Sequence, residues 1–429
     1  MKDVVLRHVK GEAVGICSVC SAHPIAIRAA LLFDLDTDRT VLIEATSNQV
    51  NQFGGYTGMT PVKFRDFVAG IAAEVGFPLK RLCLGGDHLG PNAWRDRTPD
   101  EAMALSRTLV ADYVAAGFSK IHLDASMAVA GDVDPIDPGV AAERAADLCA
   151  AAEAAVTDGA PPLYIIGTEV PVPGGETDGL SGIQITDPAN VAQTLDLHRR
   201  AFAARGLDAA FARVVGVVVQ PGVDFDHTGI IAYDRTKAFG LARFIEGHPG
   251  LVYEAHSTDF QPREKLRDLV RDHFAILKVG PAVTFALREG LFALAAMEDE
   301  TIPVERRSCL RAVVDRVMLD EPDAWAKYYQ GGHQQRKLLR SYSKSDRIRY
   351  YWTHPEVSAA VDRLFANLAA VPPTDGLVRQ FAGHERARRP GRPLTAETII
   401  LDKIMQVLED YRHACWGDAD SGGATRRAG

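Results

Sequence analysis

Residues 82–91 read LCLGGDHLGP: an apolar run passes through two glycines, sets Asp87 beside His88, and stops at Gly90-Pro91. A near-continuous apolar run bounded by glycine and proline is the pattern of a strand buried on both faces, here with an acid and an imidazole at its end. Further runs of the same form are VGICSVC (14–20), VLIEAT (41–46), KIHLDAS (120–126), LYIIGTEV (163–170), VVGVVVQPG (214–222), LVYEAHS (251–257) and AILKVGP (275–281). Between them lie stretches with helical periodicity, such as PDEAMALSRTLVADYVAAGF and PANVAQTLDLHRRAFAARGL. Buried strands alternating with helices imply a parallel sheet covered on both faces. Eight such repeats predict an α/β fold, a (β/α)8 TIM barrel over residues 1–289 that carries the active site.

Beyond residue 290 the pattern changes to longer helical segments with charged faces, including TIPVERRSCLRAVVDRVML and TAETIILDKIMQVLEDYRHAC. They predict a helical C-terminal extension over 290–416, packed on the barrel without an intervening linker, and a disordered tail over 417–429.

The chain of 429 residues is 47% hydrophobic and 24% charged, with net charge −8, the balance of a soluble globular protein without the basic field that attracts nucleic acid. The N-terminus MKDVVLRHVKGEAVG lacks the apolar core of a signal peptide, and no apolar run reaches the ~18 residues of a membrane span, so a cytoplasmic protein with no membrane partner is expected. Six cysteines lack framework spacing. Cys17 and Cys20 have CxxC spacing but lie along a strand with no second pair, so they read as small strand residues rather than a zinc or redox motif.

In a parallel barrel, chemistry gathers at the C-terminal ends of the strands. Here those ends carry Glu44, Asn48 and Gln52, then Asp87 and His88, His122 and Asp124, Glu169, Gln220, His256 with Ser257, and Lys278. Asp87 and His88 after the third run face His256 after the seventh across one mouth, and Asp124 and Glu169 add carboxylates. Together they suit a two-histidine, carboxylate-assisted divalent metal site. His122 shares a strand face with Asp124 and reads as a buried structural histidine more readily than as a ligand. Lys278 reads as neutralising the acids or holding a phosphate, with a Schiff-base role as the alternative. The loop EATSNQVNQFGGYTG (44–58) fits a polyol or, equally, a polar loop satisfying its own backbone. In SYSKSDRIRYYW, Arg347 and Arg349 fit a phosphate if the segment folds over the mouth, and otherwise a solvated stretch.

The runs SVCSAHP, EATSNQVNQFGGYTGMTP, GGDHLGP, HLDASM, GTEVPVPGG, VVVQPGVDF, YEAHSTDFQ and YSKSDRIRYYW closely resemble the accessory (Z-type) subunits of tagatose-bisphosphate aldolase, over residues 1–416. Members of that family carry three labels: non-catalytic aldolase subunit, tagatose 6-phosphate kinase and ketohexose-phosphate 4-epimerase. The chain has no Walker A loop to support the second. A more distant likeness to metal-dependent class II aldolases implies that Asp87 is the acid/base at the substrate's C4 hydroxyl. It also implies that His88 and His256 are metal ligands, with Glu169 in or beside the metal's shell. Where those aldolases place a further histidine after the sixth strand, this chain has Gln220.

The resemblance therefore implies a metal-dependent C4 epimerase interconverting tagatose 6-phosphate and fructose 6-phosphate. The alternative is a non-catalytic subunit that stabilises a class II aldolase partner. On the epimerase reading the catalytic residues are Asp87, Asp124 and Glu169. Glu44, Asn48, Gln52, Gln220, Ser257, Lys278, Arg347 and Arg349 bind the ketohexose phosphate. The cofactor is zinc first, with manganese, nickel or cobalt as alternatives, and a homo-oligomer is left open.

Overall fold

The computed structural model describes residues 1–157, 159–171, 180, 183–383 and 393–417. Eight parallel strands close a barrel: β1 Ile16–Cys20, β2 Val41–Thr46, β3 Leu82–Leu89, β4 Lys120–Leu123, β5 Leu163–Ile166, β6 Val214–Val218, β7 Val252–Ala255 and β8 Ile276–Val279. Closure comes from β1 pairing with β8, Ile16 opposite Ile276 and Ser18 opposite Lys278. All eight runs form strands, as the apolar pattern predicts. Several strands end short of the runs, so that Asp124, Glu169, Gln220, His256 and Ser257 lie just past the last ladder bonds, in the βα loops.

Local chemistry starts the surrounding helices. Proline opens the helices Pro24–Phe33, Pro61–Val75, Pro99–Ala115, Pro138–Ala154, Pro188–Ala203, Pro281–Thr301 and Pro355–Ala370, where its missing N–H costs no helical bond. Asp137 and Asp187 cap two of them by accepting from the first turn, and Thr98 with Glu101 forms a reciprocal capping box. Among the described residues no helix is long and apolar enough to cross a membrane.

Two glycines of LCLGGDHLGP are required by close approach. A Cβ at Gly85 would stand 2.5 Å from Glu44 Oε1, and one at Gly90 would stand 1.7 Å from the carbonyl oxygen of Asp124. Gly85 lies in register with Glu44 on one neighbouring strand and Lys120 on the other. Its missing side chain lets those two charged groups meet across β3.

The helix Pro281–Thr301 follows β8 directly and runs through residue 289, where the sequence places the end of the barrel. Its buried side spans Ala282 to Glu298, and the helix Ala396–Trp416 packs along it. At Gly290 a Cβ would stand 3.1 Å from the Ile400 backbone, so the two helices approach closely there. Of the expected tail, only Gly417 lies within the described residues.

Candidate active site at the barrel mouth

Besides Asp87 on β3, four charged residues lie within the strands: Glu44 on β2, Lys120 on β4, Glu254 on β7 and Lys278 on β8. The closed barrel brings them together in its interior. Lys120 Nζ lies 2.5 Å from Glu44 Oε1 and 2.7 Å from Glu254 Oε2, with all three side chains fully buried. Lys278 Nζ bonds to the other Glu44 oxygen and lies 2.7 Å from Asp87 Oδ2. Glu254 Oε1 lies 2.9 Å from His256 Nε2. The result is a ladder of alternating charge, Asp87–Lys278–Glu44–Lys120–Glu254, in which each ion has an opposite neighbour and the Glu254 end is hydrogen-bonded to His256. Burying such groups unpaired would cost several kcal/mol each, on the order of the whole stability margin of a domain.

Above this ladder sit the imidazoles. The Nδ1–H of His88 donates to Asp124 Oδ2, 2.7 Å away, and His122 Nδ1 lies 3.0 Å from Asp87 Oδ1. The rings of His88, His122 and His256 cluster with centroids 4.8 to 5.3 Å apart. His88 (φ 47°) and Ser257 (φ 53°) take left-handed backbone conformations, which cost non-glycine residues on the order of 1 kcal/mol or more and concentrate at functional sites. At His88 the strand register shifts between Gly86 and Leu89, which turns the imidazole into the mouth.

The electrostatics set the protonation states. Burial alone would raise the Asp87 carboxyl, but the neighbouring His88 and Lys278 and the hydrogen bond from His122 outweigh it and hold Asp87 well below the ordinary carboxylate range. Burial also opposes charge on His88, yet Asp87 and Asp124 beside it raise its pKa. At His256 burial wins, and its pKa falls to about 3 despite Glu254. The mouth therefore holds an ionised Asp87 next to a neutral His256.

Asp87, His122, Glu254 and His256 each offer a ligand atom, all within 4.8 Å of one another. The Nε2 of His122 is buried without a hydrogen-bond partner. The His122 Nδ1 lies 3.0 Å from Asp87 Oδ1 and 3.3 Å from the His88 backbone N; in the tautomer that gives Nδ1–H to Asp87, Nε2 presents its lone pair, the usual state of an imidazole ligand supported by a carboxylate. The donor set fits a divalent ion.

The mouth opens into a cavity of about 630 Å3, lined by Asn48, Asp87, His88, His256, Ser257, Lys278, Arg347 and Arg349 among others. These expected site residues share one space. Asp124 stands behind His88 as its hydrogen-bond partner. Four others are placed elsewhere. Glu44 is fully buried between two lysines and has no oxygen left for a sugar. Glu169 accepts from Asn190 Nδ2 at 2.7 Å, outside the histidine cluster, because β5 ends at Ile166 and the loop carries residue 169 away. Gln52 spends its amide nitrogen on the Leu105 carbonyl. Gln220 accepts from the backbone N–H of Gly222 and Val223, holding its own loop.

Lys120 and Glu254 are members of the assembly that the strand-end reading passes over, and His122 joins the ligand cluster rather than only the core. A signal for them exists in the sequence: two acids and two lysines inside near-continuous apolar strands must meet if all are buried.

Residues 1–416 match the family described as D-tagatose-1,6-bisphosphate aldolase subunit GatZ/KbaZ-like. The chain belongs to this family. It is 56% identical over 419 residues to a D-tagatose-1,6-bisphosphate aldolase subunit GatZ of Klebsiella pneumoniae subsp. pneumoniae, covering 97% of this chain and 99% of that protein. A subunit of the same name from Salmonella choleraesuis is 56% identical over 422 residues, 97% of this chain and all of that protein (100%). A crystal structure from Sinorhizobium meliloti 1021, described as a probable tagatose 6 phosphate kinase, superposes with TM-score 0.87 at 46% identity, covering 94% of this chain and 100% of that one.

Proposed function

We propose that the chain works as the Z-type subunit of a D-tagatose-1,6-bisphosphate aldolase. The observation that carries this reading is the near-full-length likeness to two proteins of that name. Its test is co-expression with a class II aldolase subunit: the half-life of aldolase activity should lengthen several-fold in the presence of this chain. An unchanged half-life together with no co-purification would overturn it.

A second reading is favoured by the mouth itself: C4 epimerisation of a ketohexose phosphate, tagatose 6-phosphate to fructose 6-phosphate. A subunit that only stabilised a partner would have no use for an ionised Asp87 and three imidazoles opening on a cavity of about 630 Å3. The C4 proton of a 2-ketose is too remote from the carbonyl to be acidic, so inversion there proceeds by breaking the C3–C4 bond. Asp87 accepts the C4 hydroxyl proton, and the C3–C4 bond breaks with its electron pair passing toward the C2 carbonyl. The C4 aldehyde fragment then turns its other face, the bond re-forms, and Asp87 returns the proton. Lys278 keeps Asp87 ionised and aimed into the cavity. His122, Glu254 and His256 would hold the ion beside Asp87, zinc before manganese, nickel or cobalt, and that ion would supply Lewis-acid stabilisation for the carbonyl fragment. NMR of the metal-supplemented chain with tagatose 6-phosphate separates the outcomes. Inverted C4 without triose supports the epimerase, triose marks an aldolase, and no turnover leaves the subunit role.

A further inference from the structure

We infer that the anionic group of the ligand is held by the C-terminal extension, at Arg347 and Arg349, and not by the barrel. The nature of the remainder of the ligand rests on the ketohexose-phosphate reading. In parallel barrels a phosphate commonly sits on the N-terminus of a helix after the last strands, where free N–H groups and the helix dipole attract it. Here that place is filled from within. The carboxylate of Asp259 accepts from the N–H of Gly280 at 3.0 Å and of Ala282 at 2.8 Å, at the start of the helix Pro281–Thr301. Asp259 is buried and lines the same cavity. A second anion there would meet a like charge and no free donor. Lys278, the nearby barrel cation, is already shared by Glu44 and Asp87.

The two arginines are in the opposite condition. Both line the cavity, and among the described residues neither has a carboxylate within the 4.0 Å of an ion pair. Arg347 is only 7% exposed, stacked on the ring of Tyr328, and its Nε has no hydrogen-bond partner. Its Nη1 is aimed by the Ala324 carbonyl at 3.0 Å. Arg349 is fixed by the carbonyls of Ser345 and Asp346 and by the Tyr350 hydroxyl. Buried cations are normally paired, as Lys120, Lys278 and Arg340 are in this chain. Arg288 also lacks a carboxylate, but the rings of Phe285, Phe292 and Tyr342 surround it and it does not line the mouth cavity. Among the described residues, buried Arg347 and half-buried Arg349 combine the lack of a carboxylate in ion-pair contact with access to the site. The planar guanidinium matches the oxygens of a phosphoryl group. The Arg347–Tyr351 turn thus completes a site whose reacting end is Asp87.

Calorimetric titration of the full chain with inorganic phosphate, fructose 6-phosphate and fructose tests this. Arg347→Gln and Arg349→Gln should each weaken phosphate and fructose 6-phosphate by about 10- to 100-fold, the worth of a charge-assisted contact, while leaving fructose unchanged. Arg349→Lys should recover part of that loss, and Asp259→Asn should leave phosphate affinity within about twofold. Arg349 is only half-buried, so its variants serve even if Arg347→Gln does not fold. The inference is overturned if the wild-type chain binds no phosphate, if the arginine variants bind it as tightly, or if fructose weakens in parallel. Phosphate binding that depends on the arginines, with no binding of the sugar phosphate, would uphold the subsite and sink the ketohexose-phosphate reading instead.

Discussion

The barrel mouth and the 345–351 turn of the extension both bury charge, but they treat it differently. At the mouth every ion has an opposite partner, from Asp87 through Lys278, Glu44 and Lys120 to Glu254. In the turn, Arg347 lies on an aromatic ring with an unpaired Nε, and Asp346 has one oxygen on Thr284 and the other without a partner. A closed ladder supports itself and holds its members ready for proton transfer. An open set is incomplete until something of opposite charge arrives. The difference separates the part of the site that acts on a ligand from the part that waits for one.

The sharpest break of this contrast is at Asp87. If it moves the C4 hydroxyl proton, Asp87→Asn should cut epimerase turnover by about 10²- to 10⁴-fold with little change in the melting temperature, measured by NMR product analysis and thermal unfolding. Turnover unchanged in pure, metal-supplemented protein would remove Asp87 from the chemistry. Next comes Lys120. Lys120→Met leaves Glu44 with Lys278 alone and takes from buried Glu254 its close cation, and urea unfolding should record a loss of about 3–5 kcal/mol. A loss below ~1 kcal/mol would show that the ladder is not coupled as its geometry indicates.

The turn should respond in other ways. Burial pushes the Asp346 carboxyl up to about 7, against an ordinary value of 3.8. Between those values the folded state keeps a proton that the unfolded chain has released, so stability falls as pH rises through this window. The contribution is on the order of a few kcal/mol at most, and Asp346→Asn should flatten that slope in denaturation curves taken from pH 4 to 8. The smallest effect is expected at Arg347. Because its cation is unpaired, Arg347→Gln should change ligand-free stability by less than about 1 kcal/mol, in contrast to Lys120→Met. A large loss would mean that Arg347 is structural.

Much of this was legible from residues. The eight strands follow from short apolar runs broken by glycine, proline and polar ends, which in alternation with helical stretches fit buried parallel strands. The helices announce themselves by Asp-Pro, Thr-Pro and His-Pro starts at residues 137, 98 and 23. That Asp87, His88, His256 and Lys278 would face one mouth follows from the same alternation, because parallel strands present their C-terminal ends together.

What the chain alone could not decide was which polar groups meet. Glu169 and Glu254 look equally available in GTEVP and YEAHS. Glu254 belongs to a strand and points into the closed interior, whereas Glu169 falls past the end of β5 and turns to Asn190. Glu44 reads as a sugar-binding acid until Gly85, on the strand between, lets it reach Lys120. The order of strands and the identity of the buried segments are local matters of pattern. Contact between residues more than a hundred positions apart depends on the register and closure of the barrel, and on how the extension settles over its mouth. Those are set by packing of the whole chain, and they turn a list of polar strand ends into a site.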